Sequence, residues 1–254
     1  GDKIQFRGNN TQYATSYWGR NSFGGSTASF EVEGNIMSLI YGDDFKNNST
    51  ISSAYTFMVL FSDCTKLVSA ENLVLPATKL VNRCYSSMFD GCTSLTTAPE
   101  LPAMTVADCC YQYMFNGCTS LTKAPELPAT TLVSGCYSYM FYGCTSLTTA
   151  PELPATKLAS GCYADMFNGC TSLTTAPELP ATTLAEGCYS DMFNGCSSLN
   201  YIKCLATDIS ASYCTEGWVK YVPNTGTFIK SPDMSRWTTG ISGIPSGWTV
   251  IDAT

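Results

Sequence analysis

Histidine is missing from the sequence altogether, and with it the commonest general base and the commonest metal ligand. Charge is scarce: Asp, Glu, Lys and Arg make up 13% of the residues, about half the usual share. Positive charge is scarcer still, with 13 Lys and Arg against 20 Asp and Glu, a formal net charge of −7. Such a chain has no basic face with which to track phosphates, so nucleic acid is excluded as a partner and an anionic membrane surface is disfavoured. No apolar run reaches the roughly 20 residues of a membrane helix, so no transmembrane segment is expected. There is no G-x-S-x-G, no phosphate-binding glycine loop and no H-E-x-x-H. These absences leave no catalytic residue, no metal set and no cofactor to expect. No signal peptide is visible either. The chain starts on Gly1 without a methionine, the look of a trimmed or cleaved start, so this lack says nothing about compartment.

What the sequence does have is a repeat. Of its 254 residues 44% are hydrophobic, enough for a continuous core. The segment from Cys84 to Ala103 recurs every 26 residues. One cysteine column reads Cys92, Cys118, Cys144, Cys170, Cys196 and a second Cys84, Cys110, Cys136, Cys162, Cys188. Phenylalanine keeps the same step through Phe89, Phe115, Phe141, Phe167 and Phe193. A degenerate copy with Phe61, Cys64, Leu67 and Pro76 precedes them.

Each unit has a physical reading. Leu95, Ala98 and Leu101 are spaced like the buried positions of a short strand, close to the L-x-x-L-x-L of leucine-rich repeats. Pro99 keeps that strand brief and irregular. Pro102-Ala103 turns the chain, and Val106 (Leu132, Leu158 and Leu184 in later copies) returns to the core. Residues 110–115 carry apolar side chains at i, i+4 and i+5, which predicts one or two helical turns stopped at Asn116-Gly117. A lone unit cannot bury both elements. Stacked units can, with strands about 4.8 Å apart in one parallel sheet.

The ends lack the full repeat and are read as seals for the stack. Residues 1–53 form an expected β-rich cap, with a hairpin of residues 29–33 and 35–41 joined at Gly34. Residues 54–199 hold one degenerate and about five regular repeats. Residues 200–254 form a degenerate repeat and β cap, with strands expected at 201–205, 226–230 and 247–251.

The unit Met-Phe-x-Gly-Cys-Thr-Ser-Leu-Thr-x-Ala-Pro-Glu-Leu-Pro-Ala-Thr resembles the BspA-like leucine-rich repeats of bacterial surface proteins, best known from Bacteroidetes. The stretch from Gly240 to Val250 is similar to the tail of the same gut-bacterial group. The fold implied is an α/β repeat: a right-handed leucine-rich-repeat solenoid with a parallel sheet on one face, short helices on the other and β-rich caps. The function implied is non-enzymatic adhesion to host or microbial surface proteins. The resemblance further implies an extracellular or cell-surface location, associated with the outer membrane, often through a lipid anchor upstream.

Several columns carry competing readings. Stacked cysteines stand close enough for disulfides, yet each is also a small buried hydrophobe, and pairing neighbours would break the equivalence of the copies. Without histidine or a C-x-x-C pair, zinc is poorly supported. Cys109 replaces Gly135, Gly161 and Gly187 of later copies and is expected to be exposed. The column Tyr85, Tyr111, Tyr137, Tyr163, Tyr189 is either a sugar-stacking platform, which would make the protein a glycan binder, or a cover for the helical side with its hydroxyls in water. Glu100, Glu126, Glu152 and Glu178 form either a solvated stripe or a recognition stripe for a basic partner or cation. Equivalent glutamates lack the unlike environments that split an acid from a base, so a hydrolase is the remotest alternative. The candidate binding surface is the strand face, where Thr97, Lys123, Thr149 and Thr175 stand beside Glu100, Glu126, Glu152 and Glu178.

Overall fold

The copies stack as successive coils, and the hydrogen bonds that join them lie mainly where helices were expected. A computed structural model describes residues 3–10, 13, 23 and 25–254. In the second regular coil, N–H groups at alternate residues reach across to the next coil: Cys109 to Ser134 O, Tyr111 to Cys136 O, Tyr113 to Ser138 O, Phe115 to Met140 O and Gly117 to Tyr142 O, at 2.7–3.1 Å. The N–H groups between them close β-turns on the residue three back, as Cys110 does on Ala107 and Met114 on Tyr111. The same pattern recurs at each junction from residue 55 to residue 220. Each coil therefore runs here as overlapping β-turns, which together form a parallel, hydrogen-bonded turn sheet.

The helix expectation is thus overturned. Every fourth residue along this segment has a left-handed backbone: Cys109, Tyr113 and Gly117 in one coil, Gly135, Tyr139 and Gly143 in the next. That conformation ends a right-handed helix at each occurrence. The turn ladder buries residues with a period of four, which over ten residues resembles the 3.6 of a helix. The glycine at the end of each segment is the last of three left-handed positions rather than a helix stop.

On the strand side no regular strand forms between residues 75 and 200. Isolated parallel bridges join Ser69 to Thr97, Lys123 to Thr149 and Thr175 to Tyr201, with a second set at Lys79–Thr105, Thr131–Lys157 and Thr183–Asp208. A continuous parallel sheet through Leu95, Leu121, Leu147 and Leu173 is therefore absent. Prolines such as Pro99 and Pro102 have no N–H to give a ladder. The bridges also fall at alternate junctions only; the four copies from Leu95 to Pro180 carry the same prolines, yet Lys123–Thr149 is bridged and the junctions on either side of it are not, so the alternation does not follow from them.

Regular strands occur at the two ends. β1 (Phe30–Glu31) pairs in parallel with β3 (Leu67–Ser69), and β2 (Gly34–Asn35) with β4 (Leu73–Val74). The expected hairpin is therefore wrong: both pieces add to the next coil instead of to each other, which satisfies that coil's backbone groups. Residues 38–41, expected in the second hairpin strand, form the short helix α1 (Ser38–Tyr41), followed by a 3-10 turn at Gly42–Asn47. At the other end β5 (Tyr201–Cys204), β6 (Thr227–Lys230) and β7 (Thr249–Asp252) form a parallel sheet in that order.

The core lies between the two sides and is built from columns. The phenylalanines stack from Phe61 to Phe193 with ring centroids 5.4–5.8 Å apart. The tyrosines from Tyr85 to Tyr189 stack beside them at 5.8–6.1 Å. Trp218 covers the C-terminal end of both columns, 6.3 Å from Phe193 and from Tyr189. Leu95, Leu121, Leu147 and Leu173 are fully buried on the strand side.

Candidate binding surfaces

The cysteine columns are structural. All fourteen cysteines are free thiols. The thiols of Cys92, Cys118, Cys144, Cys170 and Cys196 donate to the carbonyls of Phe61, Phe89, Phe115, Phe141 and Phe167 in the preceding coils, at 3.0–3.2 Å. Burial pushes the thiols of Cys84, Cys136, Cys144, Cys188, Cys196 and Cys204 up to about 12 and so withholds the reactive thiolate. Cys109 is half-buried rather than exposed. Its thiol is also raised by burial, against the lowering effect of Arg83.

Neither reading of the tyrosine column survives. Tyr85, Tyr111, Tyr137, Tyr163 and Tyr189 lie inside the stack, each no more than 2% exposed. They offer sugars no platform, and the hydroxyls of Tyr85 and Tyr137 are buried without a partner.

The strand face brings the remaining candidates together. Glu100, Glu126, Glu152 and Glu178 are all exposed, as are Lys123, Thr149 and Thr175. Thr97 is half-buried, with its hydroxyl 2.7 Å from that of Ser69. The bridge from Lys123 to Thr149 sets those two residues side by side on neighbouring coils. Glu178 differs from the other three glutamates in its ion pair with Lys203, at 2.9 Å. The stripe is therefore partly neutralised at its C-terminal end.

A second surface escaped the reading of the repeat. On the turn side the rings of Tyr113 and Tyr139 stack with centroids 4.6 Å apart. Tyr142 leans on Tyr139 at 5.9 Å and is 40% exposed. In the other regular copies the places of Tyr113 and Tyr139 hold Ser87, Asp165 and Asp191, and that of Tyr142 holds Asp90, Asn116, Asn168 and Asn194. This break in the columns was the available signal. Polar groups surround the rings. Arg83 donates to Gln112 at 2.9 Å and Asn116 to Asp90 at 2.7 Å. Asp165 accepts from Asn168 at 2.8 Å and from the Tyr139 hydroxyl. Burial raises the Asp165 carboxyl and these two hydrogen bonds oppose it; burial, then the charge of Asp165, raises the Tyr139 hydroxyl.

Among the described residues no group of three or more Cys, Asp or Glu side chains is placed to hold a metal ion, and no helix is long and apolar enough to cross a membrane.

A leucine-rich repeat protein from Bacteroides ovatus is similar at 16% identity, over 77% of this chain and 56% of that one, with a TM-score of 0.35. The chain thus spans little more than half the length of that protein. No curated protein matches the sequence significantly. The model of the BspA-type leucine-rich repeat region matches in six copies, over residues 49–174 and 85–213. Those copies take in the columns of Cys, Tyr, Met and Phe that build the core, and the chain belongs to the BspA-type leucine-rich-repeat family.

Proposed function

We propose that the protein is a non-enzymatic binding protein of the cell surface or the extracellular space, which adheres to host or microbial proteins through its strand face. The observation that carries this reading is the exposed column of four glutamates beside Lys123, Thr149 and Thr175. A rigid stack that repeats the same group at each coil suits an extended partner, since each coil adds a small, similar contribution without new ordering cost. The sign of the stripe favours a basic partner, bound less tightly as salt rises. The reading takes the solenoid as right-handed with the strand face concave, residues 1–53 and 200–254 as its end caps, and a lipid anchor upstream. Pulling down host and microbial surface proteins with the purified chain tests it. The captured protein should bind the double variant Glu126→Gln/Glu152→Gln more weakly, with the fold unchanged. Full binding by that variant would remove the strand face from the account.

A second reading, glycan binding, is favoured by the tyrosine cluster on the turn side. Rings offer stacking faces, and Gln112, Asn116 and Asp165 stand nearby with polar groups of the kind that recognise hydroxyls. A glycan array probed with the protein and with Tyr139→Ser separates the two. Serine suits the site because Ser87 fills the equivalent place. Glycan binding that survives this substitution would count against the cluster.

A further inference from the structure

The cross-coil N–H groups of the turn sheet all point the same way, from one coil to the carbonyls of the next. The two ends of the sheet therefore differ chemically. The N-terminal end presents carbonyls and the C-terminal end presents N–H groups, and the aligned peptide dipoles make that C-terminal rim positive. At the N-terminal end the chain closes on itself, because the N–H groups of Tyr13 and Phe23 donate to Thr56 O and Leu60 O.

The C-terminal rim is closed only in part. Its last coil carries ladder donors at Tyr213, Thr215, Gly217, Val219 and Tyr221. Ser242 Oγ accepts from the Gly217 N–H at 3.0 Å and Ile241 O from the Val219 N–H at 3.2 Å. Among the described residues nothing accepts the N–H of the exposed Tyr213 or of Thr215, which is 6% exposed and whose hydroxyl donates to Ser242 O at 2.8 Å. In the preceding coil their equivalents, Gly187 and Tyr189, donate to Ser212 O and Cys214 O, two residues apart.

Side chains at this rim depart from the repeat as well. Where three earlier coils have Gly135, Gly161 and Gly187, the last has Tyr213, with φ at 57° and the side chain 66% exposed. A left-handed tyrosine costs about 1 kcal/mol or more relative to glycine. In the Tyr113 and Tyr139 pair the rings stack on each other, whereas Tyr213 makes no ring contact among the described residues. Beside it lies a shallow, open depression of about 300 Å³ whose lining includes Ile209, Ala211, Tyr213, Cys214, Thr215 and Glu216.

We propose that this rim is a docking edge for an extended peptide segment of a partner protein, which adds to the turn sheet as its next layer. Two donors two residues apart call for two carbonyls of the same spacing, which an extended backbone supplies and a single carboxylate does not. Ile209, Ala211 and the Tyr213 ring receive its apolar side chains, and Glu216 favours a basic residue among them. Head-to-tail addition of a second copy is blocked, because Thr56 O, the carbonyl in register with the Thr215 N–H, is already taken by the Tyr13 N–H.

The test is selection of binders from a displayed library of random linear peptides, followed by residue-resolved amide exchange on the complex. Selected peptides should slow exchange at Tyr213 and Thr215, and should bind Tyr213→Gly at least about tenfold more weakly. Glycine is the residue that Gly187 supplies one coil earlier, so this variant should fold, with a melting temperature no lower than the parent's. Glu126→Gln/Glu152→Gln should bind the peptides as well as the parent, which keeps this site distinct from the strand face. Selection that yields no binder, binders that leave the two amides unprotected, or equal affinity for Tyr213→Gly would each overturn the proposal.

Discussion

Between residues 55 and 220 five backbone hydrogen bonds cross every junction between coils on the turn side; on the strand side, from Ser69 to Asp208, backbone bonds cross alternate junctions and are missing from those between. Where they are missing, hydroxyls stand in: Ser120 Oγ donates to Thr93 O at 2.7 Å and Thr171 Oγ1 to Thr145 O at 3.3 Å. The turn side is the spine of the molecule. The strand side is anchored through its buried leucines and is freer in its backbone. The difference separates two demands, because the side that carries the hydrogen-bonded order need not be the side that meets a partner.

Raising the pH should strain the spine most. Five of the six thiols pushed to about 12, all except Cys204, lie on the turn side. Below the ordinary thiol value of 9.0 both folded and unfolded chains keep these protons, and the full stability is present. Between that value and about 12 the unfolded chain ionises while the folded one does not. Stability then falls with rising pH, by up to about 1.4 kcal/mol per thiol per pH unit. Denaturant titrations from pH 8 upward should show a steep loss beginning near pH 9, and a flat profile would contradict the buried ladder.

Truncating the spine's core comes next. Phe141 is fully buried between Phe115 and Phe167, at 5.7 Å from each. Phe141→Ala should cost about 3–5 kcal/mol, and an unchanged melting temperature would remove the ring column from the core. A smaller effect is expected at Gly143, left-handed at φ 68°. A Cβ there would stand 4.0 Å from Gly117 Cα, so there is room and only backbone strain remains. Gly143→Ala should cost about 1–2 kcal/mol. The smallest effect belongs to the strand face, where Glu126→Gln/Glu152→Gln should change stability by less than about 0.5 kcal/mol. A larger loss would mean that these glutamates support the fold.

The repeat length, the buried columns and the end strands near 201, 227 and 249 are legible in the sequence, because a 26-residue step aligns equivalent residues without reference to backbone geometry. The turn ladder is not, since its buried period of four overlaps that of a helix in so short a segment. Its signature was present in the glycines eight apart, Gly135 and Gly143 or Gly161 and Gly169, with Asp165 or Tyr139 midway. At Ser29–Tyr41 alternation suggested a hairpin, but only Met37 and Leu39 keep a strand's period of two; the adjacent Ile36 is buried as well, and Leu39 is buried by the short helix α1. At the candidate sites, the exposed glutamates followed from their place between buried leucines and prolines. The half-buried Tyr113 and Tyr139 and the exposed Tyr142 were hidden behind the regular tyrosine column, whose constant step marks burial rather than exposure.

Residue-resolved amide hydrogen exchange tests the division between spine and strand side most directly. The amides of Tyr111, Phe115, Tyr137, Phe141, Tyr163 and Phe167, all donors across the turn sheet, should be the slowest and exchange only through global unfolding. Those of Thr122 and Thr174, exposed residues on the strand side with no acceptor among the described residues, should exchange orders of magnitude faster. Protection of Thr122 and Thr174 equal to that of Phe141, or rapid exchange along the turn sheet, would contradict the account.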